Sequence, residues 1–349
     1  MRHPALLVVP LIALGCQRGY ADNPQPQPVP QKTPSTALDD HAGLLAPVQV
    51  DSLTLIPVVQ IASDGQADPD VMTLDEAFDK KLLSIKEQES ESVNQLTLTN
   101  KSAQPLFVLA GEVIIGGKQD RIIGQNTLIQ PKATIEVPVY CVEHGRWQGS
   151  STAFSSGKAL AHSRLRGNAS FENQGEVWKE VAQKNAIRKT TNSTDTYRQV
   201  AQQQSNGTFG ATEKKVTAAL AKVSADDRKQ MIGYVVALNG KIETVDLFNS
   251  PKLFHKLENK LVRSYITDAV DTPAQKDIKP PTVAEVKTFM TAPEQEAKPE
   301  VSFESEESAT TRYKAAKMSK SKVEYKPSKS GPRDAKKAKP VYETVQSKD

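Results

Sequence analysis

The chain has 349 residues, 38% of them apolar and 5% aromatic, with a formal net charge of +4. That charge is too mild and the aromatics too few to argue for nucleic acid, and no nucleic-acid partner is expected. It carries two cysteines, Cys16 and Cys141. If Cys16 is modified, no disulfide is available and the fold rests on its core.

The first residues, MRHPALLVVPLIALGCQRG, give a charged start and an apolar run from Ala5 to Leu14. About ten apolar residues suit a signal-peptide core and fall short of the roughly 20 needed to span a bilayer. Ala13-Leu14-Gly15-Cys16 resembles the lipobox of bacterial lipoproteins, in which the cysteine is acylated and becomes the mature N-terminus. Two other readings stay open: ordinary cleavage after Ala21, and an uncleaved membrane tether. Gln17 after the cysteine, rather than Asp, points to the outer membrane of a Gram-negative bacterium, hence a periplasmic location. No other segment is apolar enough to enter a bilayer, so membrane contact is expected through the N-terminal lipid only.

Residues 17–49 are rich in Pro, Gln, Asp and Ser and read as a disordered spacer. Leu53-Thr-Leu-Ile-Pro-Val-Val begins the ordered part as a strand. Thr73, with Glu76 three residues on, caps a helix over Leu74–Leu83. Strands are predicted at Ser84–Glu89, Val93–Thr99 and Pro105–Leu109. Val113-Ile-Ile and Arg121-Ile-Ile flank Gly116-Gly117 as a hairpin, and Ala133–Val142 is a strand of alternating β-branched residues. Residues 150–172 are Ser- and Gly-rich and read as a loop. Helices follow at Glu176–Ile187, Thr194–Gln204 and Thr212–Val223. Met231–Leu238 and Lys241–Phe248 bracket Asn239-Gly240, a hairpin signal. A last helix runs from Pro251, capped by Ser250, to about Val270, with Leu253, Phe254, Leu257, Leu261 and Tyr265 on one stripe. From residue 272 to 349 the composition turns to Lys, Glu, Pro, Ser and Ala, which reads as a disordered charged tail. The expected fold is a single α+β domain over residues 50–271, with a mixed or mostly antiparallel sheet and flanking helices.

One region concentrates reactive side chains: Gly111-Glu-Val-Ile-Ile-Gly-Gly-Lys-Gln-Asp-Arg, then Val139-Tyr-Cys-Val-Glu-His-Gly-Arg-Trp. Strand alternation puts Cys141 and Glu143 on one face, about 7 Å apart, and projects Gln119 and Arg121 together from the other segment. If the two strands pair, these groups line one pocket. Glu112, Cys141 and Glu143 are the catalytic candidates. Cys141 serves as a nucleophile if Arg121 or Arg146 lowers its pKa; alternatively Glu112 or Glu143 is a general base. Lys118, Gln119, Arg121 and Arg146 are the ligand-binding candidates, suited to a phosphate or carboxylate. The bland reading makes Cys141 a small buried hydrophobe, Glu143–Arg146 a turn-pinning salt bridge and Trp147 a core anchor. There is no Walker loop, strand-following GxGxxG, HExxH, CxxC or GxSxG, so no cofactor is expected; the five histidines are scattered, so neither is a metal site.

The two blocks, Glu112 with Gly116-Gly117-Lys118-Gln119-Asp120-Arg121 and Cys141-Val142-Glu143-His144-Gly145-Arg146-Trp147, resemble the "ARG and Rhodanese-Phosphatase-superfamily-associated Protein" domain. Leu74-Asp-Glu-Ala, Val93-Asn-Gln-Leu, Leu247-Phe-Asn-Ser-Pro and Arg263-Ser-Tyr are similar to it as well. The resemblance covers about residues 50–271. Its name implies association with ADP-ribosylglycohydrolases and rhodanese- or phosphatase-type proteins, hence nucleotide or ADP-ribose metabolism, without fixing a reaction. It carries over Glu112, Lys118, Gln119, Arg121, Cys141, Glu143 and Arg146 as a site. The export signal departs from the cytosolic role that this substrate class implies.

The expectation is an exported, lipid-anchored envelope protein whose domain binds or acts on an anionic small molecule, phosphorylated or nucleotide/ADP-ribose-like. Whether it is an enzyme stays open. The alternative is a non-enzymatic scaffold or adaptor whose domain and tail reach an envelope protein or the cell wall.

Overall fold

The computed structural model describes residues 36–62, 70–87, 94–145, 153–202, 207–326 and 338–348. These fall within one unit, Lys32–Asp349. The leader, Cys16, Arg146 and Trp147 lie outside the described residues.

The architecture is α+β, with helices around three sheets. The largest sheet has ten strands. In spatial order they are Thr36–Ala37, Ala42–Leu44, Leu53–Gln60, Met231–Leu238, Lys241–Phe248, Lys339–Ser347, Met318–Tyr325, Ser308–Lys314 and Glu300–Glu304, with Val48–Val50 also on Leu53–Gln60. A six-stranded sheet runs Phe154–Leu160, Glu112–Gly116, Arg121–Ile123, Thr134–Cys141, Gln95–Asn100 and Leu83–Glu87. Thr127–Ile129, Leu106–Val108 and Met72–Thr73 form the third, whose last pair is parallel.

Local chemistry accounts for the best-predicted elements. Leu53–Gln60 and Met231–Leu238 are nearly continuous apolar runs buried along almost their whole length, as central strands covered on both faces should be. One face packs under the Pro251–Ala269 helix through Leu55, Tyr234 and Phe254; the other meets Val286 of the Val283–Glu296 helix through Val58 and Val235. Asn239 (φ 48°) and Gly240 (φ 84°) both take the left-handed backbone that a two-residue hairpin requires. Ser250 accepts from Leu253 N at the start of the long helix, and all five predicted stripe residues are buried. The Thr73–Glu76 capping box forms, though its helix stops at Asp79 because the chain enters a strand at Leu83.

Three segments depart from expectation. Residues 36–49, assigned to a disordered spacer, form short strands along Leu53–Gln60 that run to Val50, and bury Leu38, Ala42, Leu44 and Leu45. Residues 153–171, read as loop, form a strand on Glu112–Gly116 and a helix, Ser163–Phe171. That helix hid its inner face because one of its core-facing side chains is Arg166. The largest correction concerns residues 272–349, read as an unfolded tail. Their described parts form the Val283–Glu296 helix and four strands, and Lys339–Ser347 lies between Lys241–Phe248 and Met318–Tyr325. Backbone ladders do much of the work there, with a thin apolar set, Val323, Val341, Tyr342 and Val345, at most 5% exposed. Two buried hydroxyls are satisfied across the sheets: Ser308 Oγ donates to Leu128 O at 3.2 Å and Thr310 Oγ1 to Asn126 O at 2.8 Å. Composition underrates a segment whose polar groups find partners.

Ending the chain after Thr272 would expose the inner edge of Lys241–Phe248 and remove Tyr342 from the core. We expect that truncation to show no cooperative thermal transition by circular dichroism; a melt like that of the full chain would show that the C-terminal strands are dispensable.

Candidate functional site

The first sequence block and, of the second, Val139 to Cys141 lie in the six-stranded sheet. Glu112–Gly116 and Arg121–Ile123 form the expected hairpin, with Gly116 and Gly117 at φ 125° and 59°. A Cβ on Gly117 would come within 2.5 Å of the Phe154 ring and 2.8 Å of Glu87 Oε1, so the turn has no room for a side chain. Arg121–Ile123 then pairs with Thr134–Cys141, placing Arg121 directly opposite Cys141. Such cross-strand partners hold their Cβ atoms about 5 Å apart on one face. Glu87, on the far edge strand, accepts from Lys118 N at 3.0 Å, so the sheet curls until its edge reaches the hairpin tip.

Arg121 is 2% exposed, yet its guanidinium is almost unpartnered. Among the described residues its one hydrogen bond runs from NH1 to Gln119 Oε1 at 3.4 Å, its Nε has none, and it forms no ion pair. Gln119 is itself buried and donates through Nε2 to Glu143 O at 2.7 Å. Lys118 stands exposed at the tip.

The structure therefore brings together Gln119, Arg121 and Cys141, with Lys118 above them. It distributes the carboxylates differently. The regular strand ends at Cys141, whose backbone N–H and C=O are both bound by the Gln174 side chain at 2.8 Å. Alternation stops there, and Glu143 Oε2 accepts from Asp120 N at 3.1 Å, on the side where its charge stabilises Arg198. Glu112 shares Arg121's face but lies two residues beyond Ile114, the residue opposite Arg121, about 7 Å further along. It is 1% exposed, accepts from Leu109 N at 2.9 Å and pairs with Lys260 Nζ at 2.7 Å. Burial raises its pKa against the pull of Lys260.

Cys141 does not have the environment of a nucleophile. Burial pushes its thiol pKa up, and the opposing effect of Arg121 is not enough to reverse that. The neutral thiol is a small, slightly polar wall beside the guanidinium.

Several participants were not singled out from sequence. Asp120 is fully buried, binds Arg198 Nε and NH2 at 2.8 and 2.7 Å, and accepts from Gly116 N at 3.2 Å, which braces the hairpin. Lys260 bridges Glu112 and, at 2.6 Å, Asp75. Its signal was present: it falls on the apolar stripe of its helix between Leu257 and Leu261. Glu87 and Arg198 had no local signal. No group of three or more His, Cys, Asp or Glu is placed to hold a metal among the described residues, and no described helix is long and apolar enough to cross a membrane.

The chain belongs to the ARG and Rhodanese-Phosphatase-superfamily-associated Protein domain family, whose model matches residues 42–331. The match extends beyond residues 50–271 at both ends, through most of the C-terminal strands. No curated protein and no solved structure matches the chain.

A thiol held protonated beside packed side chains should resist alkylation. We expect Cys141 to react with iodoacetamide at neutral pH only after denaturation, as read by mass spectrometry; rapid labelling of the native protein would restore it as a nucleophile.

Proposed function

We propose that this is an exported, lipid-anchored envelope protein whose domain binds a small anionic molecule at Arg121. The observation that carries the binding site is the buried guanidinium with one long hydrogen bond and, among the described residues, no carboxylate partner. An uncompensated buried charge costs several kcal/mol, and a ligand oxyanion would offset that cost through the guanidinium's unused donors. Phosphate and carboxylate groups both suit such a fork, so phosphorylated metabolites, nucleotides and ADP-ribose are the class to test. Lys118 at the tip adds positive charge for approach. Glu112 and Glu143 are both engaged elsewhere, which favours binding over acid–base chemistry. The adaptor reading drew on a free tail, and the described tail residues are largely built into the sheet. The export part rests on the apolar leader ending in Cys16.

Thermal unfolding with and without inorganic phosphate, phosphorylated sugars and ADP-ribose tests the site. Arg121→Met keeps the volume and removes the buried charge. Without anion it should melt above wild type, by a margin on the order of 1–4 kcal/mol, and show no anion-dependent shift. Equal shifts in wild type and variant would end the proposal. For the anchor, Cys16→Ser should move the protein from the membrane to the soluble fraction of cells; unchanged fractionation would contradict lipidation.

A further inference from the structure

His162, the residue before the Ser163–Phe171 helix, is fully buried, and both of its ring nitrogens are engaged. Nε2 lies 2.8 Å from Glu180 Oε1 on the Gln174–Arg188 helix. Nδ1 lies 2.8 Å from Tyr197 Oη, which also accepts from the His162 backbone N–H at 3.3 Å. The next residue, Ser163, donates its N–H to Asp268 Oδ2 of the long helix at 2.9 Å. Two adjacent residues thus hold the start of one helix against two others and against the Tyr197 turn. The joint borders a cleft of about 910 Å³ lined by Ser163, Arg164, Glu180, Lys184, Asp268 and Asp271, so Glu180 has a route to water while the His162 ring is sealed.

The hydrogen-bond set fixes the protonation of that ring. Burial keeps the Tyr197 phenol far above its usual value, so it retains its hydrogen. His162 supplies both contacts that the phenol oxygen makes among the described residues. With the ring neutral, Nε2–H donates to Glu180 and the phenol donates to Nδ1, and every group is satisfied. A proton on Nδ1 would turn the phenol hydrogen into a sealed core with no acceptor, which is costly. The surrounding charges oppose it too. Lys184 and Arg188, both bonded to Asp271, face the ring from the Glu180 helix, and Arg164 faces it from its own; Asp268 on the long helix and Glu180 pull the other way. Burial, helped by the three cations, holds the ring neutral well below the ordinary histidine value.

We propose that His162 is an acid-sensitive joint: taking up a proton on its ring requires the Tyr197 contact to open, and so frees the start of the Ser163–Phe171 helix from its neighbours. In the unfolded chain the ring accepts a proton at about pH 6.5. The joint's stabilisation is therefore complete above that pH and is lost as pH falls toward the lower folded value. Glu180 acts in the opposite sense. Burial raises its carboxyl, which takes a proton in the fold before it would in the unfolded chain and offsets part of the loss. The same helix carries Arg166, whose backbone N–H donates to His162 O at 3.0 Å, so opening begins one turn from that core arginine. The joint is independent of Arg121 and does not rest on the anion-binding proposal.

Urea unfolding of the full chain between about pH 8 and pH 5, with NMR of the histidine rings and of amide exchange, provides the test. The His162 ring signals should keep their neutral positions down to about pH 5.5. The wild-type unfolding constant should rise below about pH 6.5, by at most about tenfold per pH unit for one proton. In His162→Gln, which cannot take that proton, the rise should be smaller by the same amount. Amides of Ser163 and Tyr197 should lose protection on acidification before those of the central Leu53–Gln60 strand. Glu180→Gln keeps the bond to Nε2 and removes the offsetting carboxyl, so its acid loss should be steeper than that of wild type; it decides the matter if His162→Gln does not fold. The proposal is overturned if the folded ring titrates near the ordinary value, if His162→Gln loses as much stability in acid as wild type, if Glu180→Gln loses no more than wild type, or if the two sets of amides lose protection together.

Discussion

A single buried ion pair ties the most distant parts of this chain together. Arg166 donates to both oxygens of Asp246, at 3.0 and 2.8 Å, and to Tyr342 Oη at 3.0 Å. Tyr265 donates to Asp246 Oδ2 at 2.5 Å, and Tyr342 bonds Oδ1. All four side chains are at most 2% exposed. One comes from the Ser163–Phe171 helix, one from a central strand, one from the long helix and one from the C-terminal strand. Burial alone would raise the Asp246 pKa, but Arg166 and the two tyrosines bring it below the ordinary value. The network's contribution is therefore complete above the ordinary carboxylate range and is lost as pH falls through the depressed folded value. Such a pair adds little net stability over apolar packing, but breaking it strands a charge, at about 3–5 kcal/mol. It acts as a lock on topology.

Arg121 makes an instructive contrast with Arg166. Both guanidiniums are withdrawn from water, and both sit on elements that pack into a core. Arg166 has a bidentate carboxylate and a phenol; Arg121 has one long contact to an amide. The same residue type is paired architecture in one place and, among the described residues, a guanidinium with a single amide contact in the other. Burial does not distinguish them; the partner set does.

What was legible in the sequence was local. The Asn239-Gly240 hairpin, the capped helix from Pro251 and the Thr73 capping box each depend on residues within a turn or two of one another. The pairing of the Gly116-Gly117 hairpin with the strand ending at Cys141 was a condition of the sequence reading; the structure meets it and puts Arg121 opposite Cys141. Glu143 did not follow, because alternation holds only while the strand is regular and Gln174 ends the ladder at Cys141. Glu112 was named as a catalytic candidate, and only the Lys260 contact shows that it belongs to a separate ion cluster. The C-terminal strands were missed because their stabilisation is not apolar burial by each segment alone. They pair chiefly with one another, and their tie to the rest of the domain runs through Lys339–Ser347 on Lys241–Phe248 and through the Ser308 and Thr310 hydroxyls, to partners about a hundred to two hundred residues earlier.

The amino-acid sequence by itself determined the α+β class, the strongest helix and hairpin, the family, and the residues among which a site had to be sought. These depend on periodicity, turn chemistry and a short motif, all readable within a narrow window. Tertiary structure decided which polar groups are paired and which are not, and where the domain ends. Pairing is a property of side chains brought together from far apart in the chain, so Arg166 and Arg121 look alike until their surroundings are known.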